Sequence, residues 1–532
     1  MEKIPLQPTS IPPKTLHKAG RSDASELVDN IMKRLVTSPA VSIFRDRERI
    51  LVRGEEAELK KAELGSLPSE LLSISMTMPQ PKRRHETEDT NGRTSNIAQR
   101  MVLAFSFALA LAAAQSKEAR SWGMHYLVTD RTLEHASMTF LSKSVEVQSM
   151  EAFLEQSKSD LAKLFDEYYG WLESRQSKRF VKVSFDPSQP TVKNFLRAAR
   201  LHPETRFPLI NRLLPGTPPP VIAADPNSIS TLEKVSPAFN YQFETLSPAS
   251  RVSARSVLVT FSDEPDWTFD NHLWGFSEYG YGKIPYGKET GTSSRAAFHM
   301  LFAHENFIVK TFAPEILEGM TLDRVELFYR LAKLAFAKKQ DYWGWRFAAW
   351  GLHYLQDLGQ PYHSKAVPSA DWMYYLKFIF SSDKAGIKKA TTQLVQNRHF
   401  IYEDFVAYGL QQSYIEQKEV YKQLAGYLSR GNAYEAGYDL EMANRAESLI
   451  ADVGKFASGH AIQIDSAIVR AFGPKVANDP NYDLESDPGY NVKKTVEALS
   501  PEAAQIILDE TGKDFESTGR IARTWIQSVR GE

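Results

Sequence analysis

The sequence predicts a mainly α-helical fold, and three observations carry that reading. From Asp341 to Leu358 apolar residues recur at helical spacing (Trp345, Ala348, Ala349, Leu352, Leu355), and the pattern stops at Gly359 and Pro361, where a helix cannot easily continue. Between Thr139 and Ser174 the residues Leu154, Leu161, Leu164, Phe165, Tyr168 and Leu172 fall on one side of a helix. Ser294 to about Gly459 and Pro501 to Val529 are again helical in pattern, without an internal repeat, which favours helix packed on helix.

Taken in order, residues 1–100 form a polar extension with the basic run Lys82-Arg83-Arg84 and the polar tract Glu86 to Ser95. The sequence there allows a short amphipathic helix near Ala24 to Leu35 and a strand near Val41 to Val52, neither of which carries chemistry. Residues 101–121 resemble a secretory signal: Arg100 precedes an apolar run, Met101 to Ala114, too short for a comfortable membrane span, and Ala119 and Ser121 are the small residues read at a cleavage site. Cleavage after Ser121 leaves Trp122 as the amino terminus of a secreted or periplasmic chain; the alternative is a buried helix or a signal-anchor. Residues 122–532 make the main domain. It carries a proline-rich insertion at about 184–253 that includes Pro218-Pro219-Pro220, and a strand over Val257 to Phe261. Leu322 to Lys338 and Asp341 to Leu358 make a helix pair, and Asp479 to Tyr490 is a loop.

Composition narrows the chemistry. Lys and Arg number 64 against 65 for Asp and Glu, so the chain lacks the basic excess of a general nucleic-acid binder. It has no cysteine, which excludes thiol catalysis and zinc-thiolate fingers and leaves any metal to His, Asp, Glu and backbone ligands. Gly275 to Gly280 has one residue too many for a nucleophile elbow, and Gly287 to Gly291 lacks the Lys-Ser/Thr of a phosphate loop.

The stretch GLHYLQDLGQPYHS, Gly351 to Ser364, concentrates His353, Asp357 and His363. His353 and Asp357 are four apart and leave one helix face together; His363 follows on the turn made by Pro361, able to complete one ion's shell or to start another. His399 and Glu403 repeat the i, i+4 geometry. Asp266 and His272 share an aromatic loop, and Trp122 and His125 stand at the proposed mature terminus. These oxygen and nitrogen clusters suit hard-to-borderline ions such as zinc. His299 and His304 are five apart, diverge on a helix, and are more simply read as one packing and one solvated residue, although either suits a supporting or substrate-contacting position.

In these motifs the chain resembles the zinc-dependent bacterial phospholipase C family, with zinc-dependent single-strand nucleases as cousins. The matching elements are His353, Asp357 and Pro361-Tyr362-His363; His399-x-x-Tyr402-Glu403-x-Phe405-Val406, which favours the phospholipase branch; Asp266-Trp267 with Phe269 before His272; Trp122 with His125; and Thr511-Gly512-Lys513 opening a last helix through Trp525. The resemblance implies a multi-helix bundle with loop-rich insertions around a trinuclear zinc cleft. Asp266, His272, His353 and Asp357 would hold one ion, His363, His399 and Glu403 a second, and Trp122, His125 and the shared carboxylate of Asp357 a third. Asp263 and Asp270 compete with Asp266. The resemblance further implies that Asp266 serves as proton acceptor and that Trp267 and Phe269 receive a head group such as choline by cation–π attraction. The implied substrate is a phosphatidylcholine-like phospholipid at a membrane surface, with no nucleic acid and no stable protein partner. The rival readings are a single-strand nuclease and a non-catalytic lipid-binding or surface protein on the same scaffold.

Amino-terminal sequencing of the exported protein should give Trp-Gly-Met-His. A mature chain that still carries residues 1–100 excludes this processing.

Overall fold

The computed structural model describes residues 124–531, apart from 176–181, 226–227, 230–241, 276, 283, 287–294, 307–308, 311–313, 371–373, 376, 379–380, 417 and 434–444, together with three strands before them. The chain divides into two units. In the first, which includes residues 1–103, β1 (Val41–Asp46) pairs antiparallel with β2 (Arg49–Gly54), and β2 pairs parallel with β3 (Leu72–Met76). The single strand expected near Val41 to Val52 is thus a hairpin. The expected helix at 24–35, the signal-like segment 101–121 and Trp122 lie outside the described residues.

The second unit is mainly helical, as the apolar periodicity requires. Its first elements are α1 (His125–Thr132), β4 (Ser144–Glu146), α2 (Met150–Ser174) and α3 (Val192–Ala199). Ser149 caps α2 by accepting from Ala152 N, and the face bearing Phe153, Leu154, Leu161, Phe165, Tyr168 and Leu172 is buried. Among the described residues of the proline-rich insertion, short antiparallel ladders pair β5 (Ile210–Arg212) with β6 (Phe243–Thr245), and β7 (Arg251–Ser253) with β4. The strand expected over Val257 to Phe261 is instead helix α4 (Ala254–Phe261). Ser253 caps it by accepting from Ser256 N, and a run this short and apolar does not separate strand from buried helix by period alone.

A short helix α5 (Arg295–His299) leads to the antiparallel pair α6 (Thr321–Ala337) and α7 (Asp341–Leu358). Every residue of α7 after Asp341 is buried. Its aromatic residues place it in the centre of the domain: Trp343, Phe347, Trp350 and Tyr354 meet rings from α2, α6 and the loops before them. After α7 come α8 (Pro361–Ser364), α9 (Lys384–Ile415), α10 (Glu419–Leu428), α11 (Arg445–Asn478), α12 (Val492–Glu497) and α13 (Pro501–Arg530). Helix α11 is interrupted at Gly473, whose φ of 72° before Pro474 is a conformation few other residues tolerate. Among the described residues no helix is long and apolar enough to cross a membrane.

Close approach of α7 and α13 depends on Gly351, where a Cβ would run into the indole of Trp525, itself anchored by Nε1–H donation to the Ala348 carbonyl at 2.8 Å. Gly351→Ala should destabilise the fold by about 1–3 kcal/mol through overpacking, measured by urea unfolding. An unchanged midpoint would mean that the two helices separate at no energetic disadvantage.

Candidate metal centre

Six segments deliver donors to one buried place in the second unit. The amino-terminal turn of α1 supplies His125. After α4 the chain enters a π-helical turn, Pro265–Phe269, which carries Asp266; such turns realign side chains inside helices and recur at functional sites. The last residue of α5 is His299, and α7, α8 and α9 supply His353 with Asp357, His363, and His399 with Glu403. Three groups of these side chains are close enough to hold metal ions: His125, His353 and Asp357; Asp266, His299 and His353; and His363, His399 and Glu403.

The first two groups are continuous. Nδ1 of His299 lies 2.7 Å from Asp357 Oδ2, 3.2 Å from His353 Nε2 and 3.8 Å from Asp266 Oδ1; His353 Nε2 is 3.2 Å from Asp357 Oδ2 and 3.6 Å from Asp266 Oδ1. His125 Nε2 approaches Asp357 Oδ1 at 3.5 Å and Asp266 Oδ2 at 3.9 Å. The third group joins through the same carboxylate, with His363 Nδ1 3.4 Å from Asp357 Oδ1. The other nitrogen of His363 is 3.1 Å from His399 Nε2, and Glu403 Oε1 accepts from the His399 ring at 2.9 Å. Asp357 therefore stands between all three groups.

Tests of fit favour cations. Two imidazole nitrogens that face each other at 3.1–3.2 Å, as in His299–His353 and His363–His399, either share a proton or direct lone pairs toward one ion. A tetrahedral ion with bonds of about 2.0–2.1 Å spaces neighbouring ligand atoms by roughly 3.4 Å, close to these separations. Outer partners also set tautomers suited to ligation. His353 Nδ1 donates to the Ser262 carbonyl at 2.7 Å and His125 Nδ1 donates to Gln356 Oε1 at 2.9 Å, which leaves Nε2 of each ring facing the cluster. Finally, Asp357 Oδ1, His363 Nδ1 and Glu403 Oε2 are buried with no hydrogen bond, an expensive arrangement unless something else satisfies them.

The electrostatics agree. Burial opposes ionisation of Asp357, yet His353, His299 and His125 outweigh it and hold the carboxyl well below its usual range. Asp266 is held down to about 2: burial is overcome by His353, Arg295, His299 and His125. Burial likewise disfavours the imidazolium of His299, but Asp357, Asp270 and Asp266 push it up to about 9, and Asp357 with Glu403 does the same for His363. The buried surroundings thus call for positive charge, which protons supply in the absence of an ion.

His125, Asp266, His353, Asp357, His363, His399 and Glu403 converge as the sequence reading expects. His272 does not: it takes a left-handed backbone (φ 56°), is exposed, and packs its ring near His202 at 5.5 Å. Its place is taken by His299, whose proximity to Asp266 and His353 arises from tertiary packing that no sequence spacing reveals; the only local signal is a histidine inside the apolar run Ala296 to Phe302. Trp267 and Phe269 are core residues, 5% and 1% exposed, packed edge-on against Phe243 and Trp350, and so do not present faces to a head group. The competing carboxylates have supporting positions. Asp270 accepts from Arg324 and from the Tyr354 hydroxyl while lying 3.2 Å from His299 Nε2, and Asp263 pairs with Arg212 and accepts from Tyr126 N at the start of α1.

His299→Ala should weaken divalent-cation binding by more than about 100-fold, whereas His272→Ala should leave it unchanged. Competition titration with Zn2+ checks both, and the reverse order would restore the sequence-based ligand set.

No family model, curated protein or solved structure matches this chain, so its functional reading rests on its own side chains.

Proposed function

We propose that this protein is a zinc-dependent phosphodiester hydrolase of the phospholipase C type, exported, and acting on phospholipids to give diacylglycerol and a phosphorylated head group. The observation that carries it is the position of Asp357, one fully buried carboxylate adjoining three His-rich groups. Contiguous cation sites of this kind suit hydrolysis of an ester whose transition state spreads negative charge over several oxygens.

The residues that would hold the cations are Asp266, His299, His353 and Asp357 in one set, His363, His399 and Glu403 in a second, and His125 with Asp357 in a third. Zinc bound there supplies Lewis acidity toward phosphoryl oxygens and toward water. The side chain of Asp266, 18% exposed, is the most open carboxylate of the set and orients the attacking water by accepting its hydrogen bond. Arg295, paired with Asp266 and buried with its Nε unbonded, offers a cationic donor to a phosphoryl oxygen beside the same carboxylate. Burial of the remaining members excludes bulk water from the reacting groups.

The balanced charge of the chain and the His399 to Val406 motif favour a phospholipid over a nucleic acid. Burial of Trp267 and Phe269 removes the case for a choline-specific aromatic cage, so the reading names the phosphodiester and leaves the head group open.

Chelation should abolish release of diacylglycerol from phospholipid vesicles and added Zn2+ should restore it, with Asp357→Asn lowering turnover on the order of 10³-fold. Faster cleavage of single-stranded DNA than of lipid in a parallel assay would transfer the assignment to a nuclease. Full activity in a metal-free preparation would end both.

A further inference from the structure

His363 and His399 are brought to 3.1 Å although they belong to separate elements joined by a long connection, and α8, which carries His363, has only four residues. So short a helix has little stability of its own. Its position has to come from outside it.

The neighbours of the two histidines supply that. Tyr362 precedes His363 and Arg398 precedes His399, and both reach the same carboxylate on α11. The Tyr362 hydroxyl donates to Asp465 Oδ1 at 2.7 Å, and Arg398 Nη1 donates to Asp465 Oδ2 at 2.9 Å. The Ser369 hydroxyl donates to the same Oδ2 and accepts from Arg398 Nη1 at 2.7 Å. Arg398 is further fixed by Nε–H donation to the Ala477 carbonyl at 2.8 Å. The ring of Tyr362 lies nearly parallel to that of His399, at 18° and 5.5 Å between centroids, so it touches the neighbouring ligand as well as adjoining its own. Asp465, Tyr362 and Arg398 are all buried, where a charge-assisted network is stronger than in water and holds one geometry.

We infer that Asp465 is a positioning residue for the second cation set: by receiving Tyr362 and Arg398 on its two oxygens it fixes the separation of His363 and His399. The inference rests on the proposed metal-dependent function. It also separates the sets, because Tyr362 and Arg398, which Asp465 receives, each adjoin a histidine of the second set, and loss of Asp465 should empty that set while sparing the others.

The test is Asp465→Asn, which keeps the shape and removes the charge, beside Tyr362→Phe, which keeps the ring on His399 and removes one hydrogen bond. Zn2+ stoichiometry and affinity are measured by competition titration on the full chain, together with the melting temperature of chelated and Zn2+-loaded protein. Expected is a loss of about 10–100-fold in affinity at one class of site, with the remaining class unchanged and a smaller rise in melting temperature on adding Zn2+. Tyr362→Phe should shift the same class by about 10-fold, and it carries the test should Asp465→Asn fail to fold. If both variants lower the melting temperature of chelated and loaded protein equally and bind Zn2+ as the unaltered chain does, Asp465 is structural only and the inference falls. Should the unaltered chain itself take up no Zn2+, the functional reading falls and takes this inference with it.

Discussion

The second unit depends on burying a helix that is not wholly apolar. Helix α7 brings Arg346, His353, Gln356 and Asp357 into the centre of the domain, each less than 1% exposed. A buried polar group is tolerable only when partnered, and a buried charge only when paired and hydrogen-bonded. Arg346 is met by Glu264, which also accepts from Trp350 Nε1, and lies over the Phe261 ring at 3.8 Å. Gln356 bridges Thr129 and His125 of α1. His353 is met by the Ser262 carbonyl. The elements around α7 are therefore held in place by polar contacts as much as by its aromatic surface, and removing one partner of such a pair costs several kcal/mol, about 3–5 for a buried ion pair.

Asp357 is the member of that set that the protein alone satisfies least well. Two of its neighbours, His353 and His125, already donate through Nδ1 to outer partners and could donate to it through Nε2 only as imidazolium, and Asp357 Oδ1 remains without a hydrogen bond. The two histidines pushed up to about 9, His299 and His363, contribute stability below the unfolded histidine value and lose it as pH rises through about 9. A divalent cation held by these side chains would replace those protons and release them on binding, so the same groups that take up protons form a set of metal donors. The fold and the site are in this respect one network of charges.

What the sequence makes legible follows from the range of the interaction. His353 with Asp357 and His399 with Glu403 are pairs four apart on helices, and helical geometry alone brings each pair to one face. The ends of α7 and the position of His363 follow from Gly359 and Pro361. Contacts between segments leave no such mark. His299 and Asp266 are 3.8 Å apart only because α5 and the π-helical turn pack on α7, and His272, nearer to Asp266 in sequence, is turned outward by its left-handed backbone. Trp267 and Phe269 fail for the converse reason: aromatic residues beside a ligand read alike whether they face a substrate or a core, and here the rings of Phe207, Phe243 and Trp350 claim them. The apolar run Val257 to Phe261 is short enough to fit a strand, and the cap at Ser253 is the local signal that distinguishes the helix.

The positions of the outer partners explain how loop-borne and helix-borne donors reach a common geometry. His299 ends a five-residue helix, but its Nε2 faces Asp270, which Arg324 of α6 and Tyr354 of α7 hold from two sides. Glu403 is fixed through Oε1 by Gln360, whose own side chain caps α8 by accepting from Tyr362 N. Asp465 reaches α8 and α9 together from α11. In each case the residue that aims a donor lies outside the helix that carries the donor, so the precision of the centre is a property of how the segments pack and not of any one motif. A chain that kept only His353, Asp357, His399 and Glu403 would retain the pairs visible in sequence and lose the arrangement that makes them a centre.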